Sequence, residues 1–114
     1  MPMIEFTTTE RVDQKTAIAI KRALGANIGI FPGKPEARVM VVIRDQTPIF
    51  FGGEPGPAAL VSVALLGEQP APTYDEYART VIQQIIQALP ALTKERIYVK
   101  YQTLEHKAWG KDVL

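Results

Sequence analysis

Apolar and polar residues follow one another along this 114-residue chain in a pattern that predicts three elements in its first half. Apolar residues occupy alternate positions in residues 2–8, which is typical of a strand with one buried face. From 12 to 30 they recur every four positions and predict a helix, which Thr9 or Asp13 could cap. Residues 38–44 contain an unbroken apolar run, as expected for a strand that is covered on both faces.

The second half of the chain repeats the same order of elements. Residues 58–66 form another largely apolar run and predict a third strand. Thr73 then starts the most regular helical pattern of the chain, which runs to Pro90. Thr73 and Glu76 have the spacing of a capping box, in which each side chain accepts a hydrogen bond from a backbone N–H at the helix start. Alternation in residues 96–102 predicts the fourth strand.

Two strand–helix–strand units in succession predict an α/β (α+β) fold in a single domain spanning residues 1–114. Each unit is expected to place its two strands parallel through a right-handed crossover. The product is a four-stranded sheet with two helices on one face. Because residues 39–43 and 58–66 are apolar on both sides, the other face must be covered by neighbouring subunits.

Composition and charge exclude several classes of function. The chain has no cysteine and one histidine, which argues against disulfides, thiolate chemistry and metal sites, so no cofactor is predicted. A net charge of +1 gives no indication of a nucleic-acid or membrane partner. Neither a membrane-length apolar run nor a signal-peptide pattern is present. A cytoplasmic protein is therefore expected, although secretion without a signal peptide stays open.

The first residues offer one candidate for chemistry. Removal of Met1 would leave the Pro2 nitrogen as a free secondary amine, which can accept and donate a proton. The residue after Met1 is small enough for ordinary trimming, so we expect Met1 to be removed. Taken alone, however, the Met1-Pro2 pair is weak evidence for catalysis, because most prolines in this position have no catalytic role.

A set of short segments, taken in their order along the chain, gives stronger evidence for a catalytic role of Pro2. They are Pro2-Met3, Gly33-Lys34-Pro35, Phe51-Gly52-Gly53, Leu66-Gly67 and Glu95-Arg96-Ile97-Tyr98. With this spacing and this predicted topology, the chain resembles the tautomerase superfamily from Pro2 to about Trp109. The resemblance is to the branch of macrophage migration inhibitory factor and D-dopachrome tautomerase.

The resemblance implies a homotrimer whose sheets surround a central barrel and whose helices lie outside. It also implies three active sites at the subunit interfaces. In such proteins the N-terminal proline is the general base or acid for keto–enol tautomerisation of phenylpyruvate-like 2-oxo acids. The implied partner is therefore a small 2-oxo or enol acid.

Position by position, the resemblance implies five site residues. Pro2 would supply the catalytic amine, and Lys34 would hold the substrate carboxylate. The backbone amide of Leu66 would face the ligand. Tyr98 would come from the neighbouring subunit, and Trp109 would line the mouth of the pocket.

Two further positions depart from the migration-inhibitory branch. Arg38 stands where that branch has tyrosine, and Lys100 stands where it has asparagine. Basic residues at both positions are more like the D-dopachrome branch. If they enter the pocket, they would lower the pKa of the Pro2 amine and bind anions. The alternative is that Arg38 forms a surface or intersubunit ion pair and that Lys100 is an exposed strand residue.

Two alternative functions remain open at this point. One is a different proline-dependent reaction, such as decarboxylation or hydrolytic dehalogenation. The other is a cytokine-like ligand in which the tautomerase pocket has no catalytic use. The thiol-redox activity proposed for the mammalian cytokine is excluded, because its two cysteine positions fall on Ala58 and Val61.

Overall fold

The computed structural model describes residues 2–114 and arranges them as one four-stranded sheet with two long helices. The strands are β1 (Met3–Thr8), β2 (Met40–Arg44), β3 (Ala59–Leu66) and β4 (Ile97–Leu104), and the helices are α1 (Gln14–Ala26) and α2 (Ala71–Ala88). Their order along the chain confirms the two predicted strand–helix–strand units. Met1, whose removal is predicted above, lies outside the described residues.

The sheet has the order β2-β1-β3-β4 and mixes parallel and antiparallel pairs. Within each unit the strands are parallel, β1 with β2 and β3 with β4, as predicted. The two units join through the antiparallel pair β1–β3, in which Met3 lies opposite Ala64. The start of β1 therefore lies beside the end of β3.

Both helices cover the same face of the sheet. Alternate strand residues such as Ile4, Phe6, Val61 and Val63 are fully buried beneath them. Burial of these side chains is the main source of stability for the sheet–helix contact. The predicted two-layer arrangement is therefore confirmed.

Helix α1 begins and ends slightly inside its predicted range. Asp13 is the capping residue, and its carboxylate accepts a hydrogen bond from the Thr16 backbone N–H at 2.8 Å. The α-helix ends at Ala26, and Asn27–Ile30 continue as a tighter 3-10 turn. Two glycines in this region, Gly25 and Gly29, weaken the α-helical geometry.

The predicted capping box of the second helix is wrong. Helix α2 begins at Ala71, two residues before Thr73, because Pro72 fits the first helical turn, where its missing N–H is not needed. The Thr73 hydroxyl donates instead to the Pro70 carbonyl at 2.5 Å. Thr73 therefore lies within the first turn and does not cap it.

The other face of the sheet has no helix over it. Met40 and Tyr98 are exposed on this face by 59% and 64%, and the Arg44 guanidinium pairs with the Glu5 carboxylate at 3.1 Å across β1 and β2. Half-buried apolar residues such as Leu60 lie between them. This is the face for which the sequence predicts cover by neighbouring subunits. Within residues 2–114, neither helix combines the length and the apolar character needed to traverse a bilayer.

Candidate active site at the start of strand β1

Pro2 is buried and leads directly into the central strand β1. Its carbonyl accepts a hydrogen bond from the Met40 backbone N–H at 3.1 Å, which ties it to β2. Proline is tolerated at the first position of a strand because no ladder hydrogen bond needs its missing N–H. The backbone on the carbonyl side of Pro2 is thus fixed by the sheet.

The cavity beside Pro2 measures about 530 Å³, a size that suits a small molecule. Three parts of the chain surround it: the start of β1, the turn before β2 and the segment after β4. The lining residues are Pro2, Met3, Ala37, Arg38, Met40, Trp109, Gly110 and Lys111. Its charged lining residues are both basic.

Arg38 lies in a 3-10 turn, Glu36–Arg38, and not in the strand that the sequence predicts to begin there. Its backbone N–H donates to the Pro35 carbonyl at 3.2 Å, which closes the turn. Because β2 starts only at Met40, the Arg38 side chain lies at the cavity rather than in the sheet. Among residues 2–114 it has no carboxylate within ion-pair distance.

Lys34 and Leu66 are brought together directly. The Lys34 ammonium donates to the Leu66 carbonyl at 2.9 Å, after a turn in which Gly33 adopts a φ of 74°. Leu66 ends β3 at the level of the β1 start, since Ala64 pairs with Met3. The Lys34 ammonium keeps two further N–H donors and has no carboxylate partner in the described chain.

Lys34 and Arg38 lie on opposite sides of Pro2. Lys34 binds the end of β3, whereas Arg38 lies in the turn before β2, and β1 runs between these two strands. Lys34 lines a separate cavity of about 390 Å³ and not the one beside Pro2. The predicted site residues Pro2, Lys34, Leu66 and Arg38 therefore gather at one end of the sheet.

Tyr98 and Lys100 are remote from Pro2 within the same chain. Tyr98 pairs with Leu60, which lies opposite Thr7, five residues along β1 from Pro2. At the usual rise along a strand this is a separation of about 17 Å. Lys100 is exposed and pairs with Ser62, which lies opposite Glu5, so it is three residues from Pro2 along the strand direction and two strands away from β1. A single chain does not bring either residue to Pro2, so any contribution must come from another subunit.

The exposed ring of Tyr98 is held in place by a contact with a second aromatic ring. Its edge packs against Phe51, with ring centroids 5.3 Å apart. Arg96 lies over the Phe51 ring at 5.4 Å and donates to the Pro57 carbonyl at 2.8 Å. Tyr98 is thus presented on a fixed support, although 64% of the residue is exposed.

Trp109 follows β4 and lies on the wall of the Pro2 cavity. Its backbone N–H donates to the His106 carbonyl at 3.1 Å and fixes the turn before it. The indole Nε1–H is buried and has no acceptor among the described residues. A buried donor without an acceptor carries a desolvation cost.

Sequence reasoning missed Lys111, which lines the cavity together with Arg38. Lys111 forms an ion pair with Asp112. The hydrogen bond and charge of Lys111, and more weakly the charge of Arg38, lower the pKa of the Asp112 carboxyl below its ordinary value. A basic residue just after Trp109 was visible in the sequence, but the path of this tail was not.

The described residues contain no cluster of three or more histidine, aspartate or glutamate side chains suited to a metal ion. The chemistry available at this end of the sheet is therefore that of a buried proline and several cations. Such an arrangement can bind an organic anion and stabilise negative charge that develops on it.

Comparisons with known proteins agree with the fold. The sequence model of the family described as macrophage migration inhibitory factor (MIF) matches residues 1–112. The crystal structure of Leishmania major MIF2 is 30% identical, with a TM-score of 0.85 over 96% of this chain and 93% of that chain.

More distant structures share the fold. The macrophage migration inhibitory factor homologue from Prochlorococcus marinus is 22% identical, with a TM-score of 0.86 over 96% of this chain and 95% of that one. The MIF-like protein of Entamoeba histolytica is 15% identical, with a TM-score of 0.84 over 97% and 95%. No curated protein matches the chain. The family match over nearly the whole sequence shows that the chain belongs to the macrophage migration inhibitory factor family.

Proposed function

We propose that this protein is a keto–enol tautomerase that acts on phenylpyruvate-like 2-oxo acids. The catalytic group would be the amine of Pro2, exposed by removal of Met1. The observation that carries the proposal is the burial of Pro2 beside a cavity whose charged lining residues, Arg38 and Lys111, are both basic. Membership of the family is consistent with this activity.

The surroundings of Pro2 suit an amine that works as a base. A free α-amino group ordinarily has a pKa of about 8 and is therefore mostly protonated at neutral pH. Burial disfavours the charged ammonium, and nearby cations disfavour it further, so both effects would lower the pKa of the Pro2 amine. More of the amine would then be the free base at neutral pH.

The proposed reaction moves one proton from carbon to oxygen. The Pro2 amine takes a proton from the carbon next to the ketone, and the C–H electron pair forms the carbon–carbon double bond. The carbonyl π pair moves onto oxygen, which becomes an enolate. The Pro2 ammonium then gives its proton to this oxygen, directly or through water, so the enol forms and the free amine is restored. In the reverse direction the Pro2 ammonium returns its proton to carbon.

The cations at this end of the sheet would bind the substrate and stabilise the enolate. Lys34 and Arg38 offer N–H donors without carboxylate partners in the described chain. Their attraction to the enolate grows as the proton leaves carbon, which is the condition for lowering the barrier. The Lys34 ammonium would hold the substrate carboxylate through a charge-assisted hydrogen bond.

We also propose that the working assembly is the homotrimer that the family resemblance implies. The uncovered sheet face and the exposed, supported ring of Tyr98 favour contact with another subunit. In that arrangement Tyr98 and Lys100 would approach the Pro2 site of a neighbour.

Ketonisation of phenylenolpyruvate, followed by ultraviolet absorbance, tests the proposed activity. The protein should be shown by intact mass to lack Met1 and compared with Pro2→Ala. The matched control is Pro90→Ala, which changes an exposed proline after α2. We expect Pro2→Ala to lower kcat/KM by about 10²–10⁴-fold, the usual contribution of a positioned acid–base group. Pro90→Ala should leave it unchanged.

Two outcomes would contradict the proposal. Equal turnover by wild type and Pro2→Ala would show that the proline amine is not the working group. Absence of turnover by the Met1-free protein would favour the cytokine-like ligand or another proline-dependent reaction. Protein that retains Met1 provides an internal check, because an amide nitrogen at Pro2 has no useful basicity.

A further inference from the structure

Cationic side chains lie on both sides of Pro2 in the sheet. A substrate with one carboxylate needs only one of these positions. Lys34 is anchored at the end of β3 by its hydrogen bond to Leu66, and Arg38 lies in the 3-10 turn before β2. β1 separates these two strands, Lys34 lines a cavity of its own, and Arg38 lines the cavity beside Pro2. A carboxylate in the Lys34 cavity would leave Arg38 without a partner.

The β2 side of Pro2 holds a second cation in addition to Arg38. Lys111 lines the same cavity and is paired with Asp112, while Arg38 has no carboxylate partner in residues 2–114. The charge of Arg38 lowers the pKa of Asp112, so the three groups lie near one another. This cluster retains an excess of one positive charge.

We propose that the preferred substrate of this protein carries two anionic groups. Its 2-oxo carboxylate would lie on the Lys34 side of Pro2, and a second carboxylate would be held by Arg38 and Lys111 at the cavity wall. The substrate class is thus a 2-oxo diacid rather than the aromatic monoacid. This inference rests on the proposed tautomerase function and specifies the substrate of the same site.

A matched pair of substrates isolates the second charge. The enol forms of phenylpyruvate and 4-carboxyphenylpyruvate differ only by a carboxylate on the ring. We expect wild-type protein to show a kcat/KM about tenfold higher for the diacid, as for one additional charge-assisted hydrogen bond. Arg38→Met should reduce the ratio of diacid to monoacid by about tenfold.

Three further measurements define the role of the cluster. Asp112→Asn removes the carboxylate that competes for Lys111 and should raise the ratio about two- to fivefold, the scale of an exposed ion pair. Lys107→Met is the control, since Lys107 is an exposed lysine paired with Glu105 and does not line the cavity. It should leave the ratio unchanged. Thermal unfolding of each variant establishes that it is folded.

Calorimetric binding of unreactive probes separates this inference from the proposed activity. The probes are 3-phenylpropanoate and 4-(2-carboxyethyl)benzoate, which differ by the same ring carboxylate. If neither enol is turned over, the tautomerase proposal fails, and the binding preference still decides the inference. Equal affinity for both probes, or a substrate ratio that Arg38→Met leaves within twofold of wild type, would overturn it. If Arg38→Met does not fold, the absence of any increase in Asp112→Asn would do the same.

Discussion

Tyr77 connects the two helices, and its replacement by phenylalanine makes a sharp test of the packing behind the site. The Tyr77 side chain is fully buried, and its hydroxyl donates to the Leu24 carbonyl in α1 at 2.6 Å. The ring also packs against Phe31, with centroids 5.0 Å apart. Phe31 begins the segment that leads to Lys34, so this contact supports the loop that carries a site residue.

The structure sets the expected size of the effect at neutral pH. Tyr77→Phe keeps the ring and removes one buried hydrogen bond, leaving the Leu24 carbonyl with one partner fewer. A loss of this kind costs about 1–2 kcal/mol in the free energy of unfolding. For a domain of this length, that corresponds to a fall in Tm of about 4–8 °C.

The same substitution should change how stability depends on pH. Burial raises the pKa of the Tyr77 hydroxyl well above its ordinary value, because the phenolate would lose its hydration. In the unfolded chain the tyrosine hydroxyl has a pKa of about 10, so below pH 10 it is neutral in both states and the folded state keeps its full stability. Above pH 10 the unfolded chain loses this proton and the folded chain does not, so stability falls as pH rises. By pH 11 wild type should lose about 1.4 kcal/mol that Tyr77→Phe does not lose.

Chemical denaturation at pH 7 and pH 11, at one fixed protomer concentration, measures both effects. The difference between wild type and Tyr77→Phe should be clear at pH 7 and nearly vanish at pH 11. Tyr101→Phe is the comparison, because Tyr101 donates to the Tyr74 carbonyl at 2.7 Å but is only partly buried. It should cost less at pH 7. A Tyr77→Phe difference that is the same at both pH values would refute the assignment of a buried, neutral hydroxyl.

Other parts of the molecule give further expected outcomes. Lys34→Met, which removes the hydrogen bond to Leu66, should raise KM for 2-oxo acids about tenfold in steady-state kinetics, and an unchanged KM would count against its role. Asp13→Ala should lower Tm at pH 7 more than Asp13→Asn, since the hydrogen bond from Thr16 lowers the pKa of Asp13. A carboxyl whose pKa is lowered on folding stabilises the folded state at pH values above its unfolded pKa. This stabilisation is lost as pH falls and the carboxylate is protonated, so the advantage of Asp13 over asparagine should disappear as pH falls below about 4. Light scattering should give about three times the 12.6 kDa chain mass, and a stable monomer would refute the trimer.

Local sequence patterns were sufficient to predict the order of the elements and the face that the helices cover. Alternation along β1 and the 3.6-residue repeat in α2 are set by which side chains are buried, so they can be read without the fold. The joining of the two units through antiparallel β1 and β3 could not be predicted in this way. That contact depends on pairing between distant segments, which leaves no local periodicity.

Some local predictions failed because two local signals competed. The capping-box spacing at Thr73 pointed to a helix start, but Pro70 and Pro72 fix backbone angles that begin α2 earlier. Arg38 was predicted to open a strand, but the turn closed by its N–H delays β2 to Met40.

The candidate site was predictable only as far as the family resemblance extended. It supplied Pro2, Lys34 and Leu66, which meet at one end of the sheet. Lys111 was missed, because its place in the cavity depends on how the tail folds back after β4. Whether Tyr98 and Lys100 serve the site depends on a second chain, so their roles stay predictions.

The central position of β1 has a consequence for the order of events during synthesis. The first strand made is paired on both sides by residues 40–44 and 59–66, which the ribosome adds only later. At ordinary rates of elongation this delay is about 3–13 s. During that interval Pro2 is unpaired and accessible, whereas in the finished fold it is buried. Processing that exposes the Pro2 amine is therefore expected on the nascent chain, before the sheet closes around it.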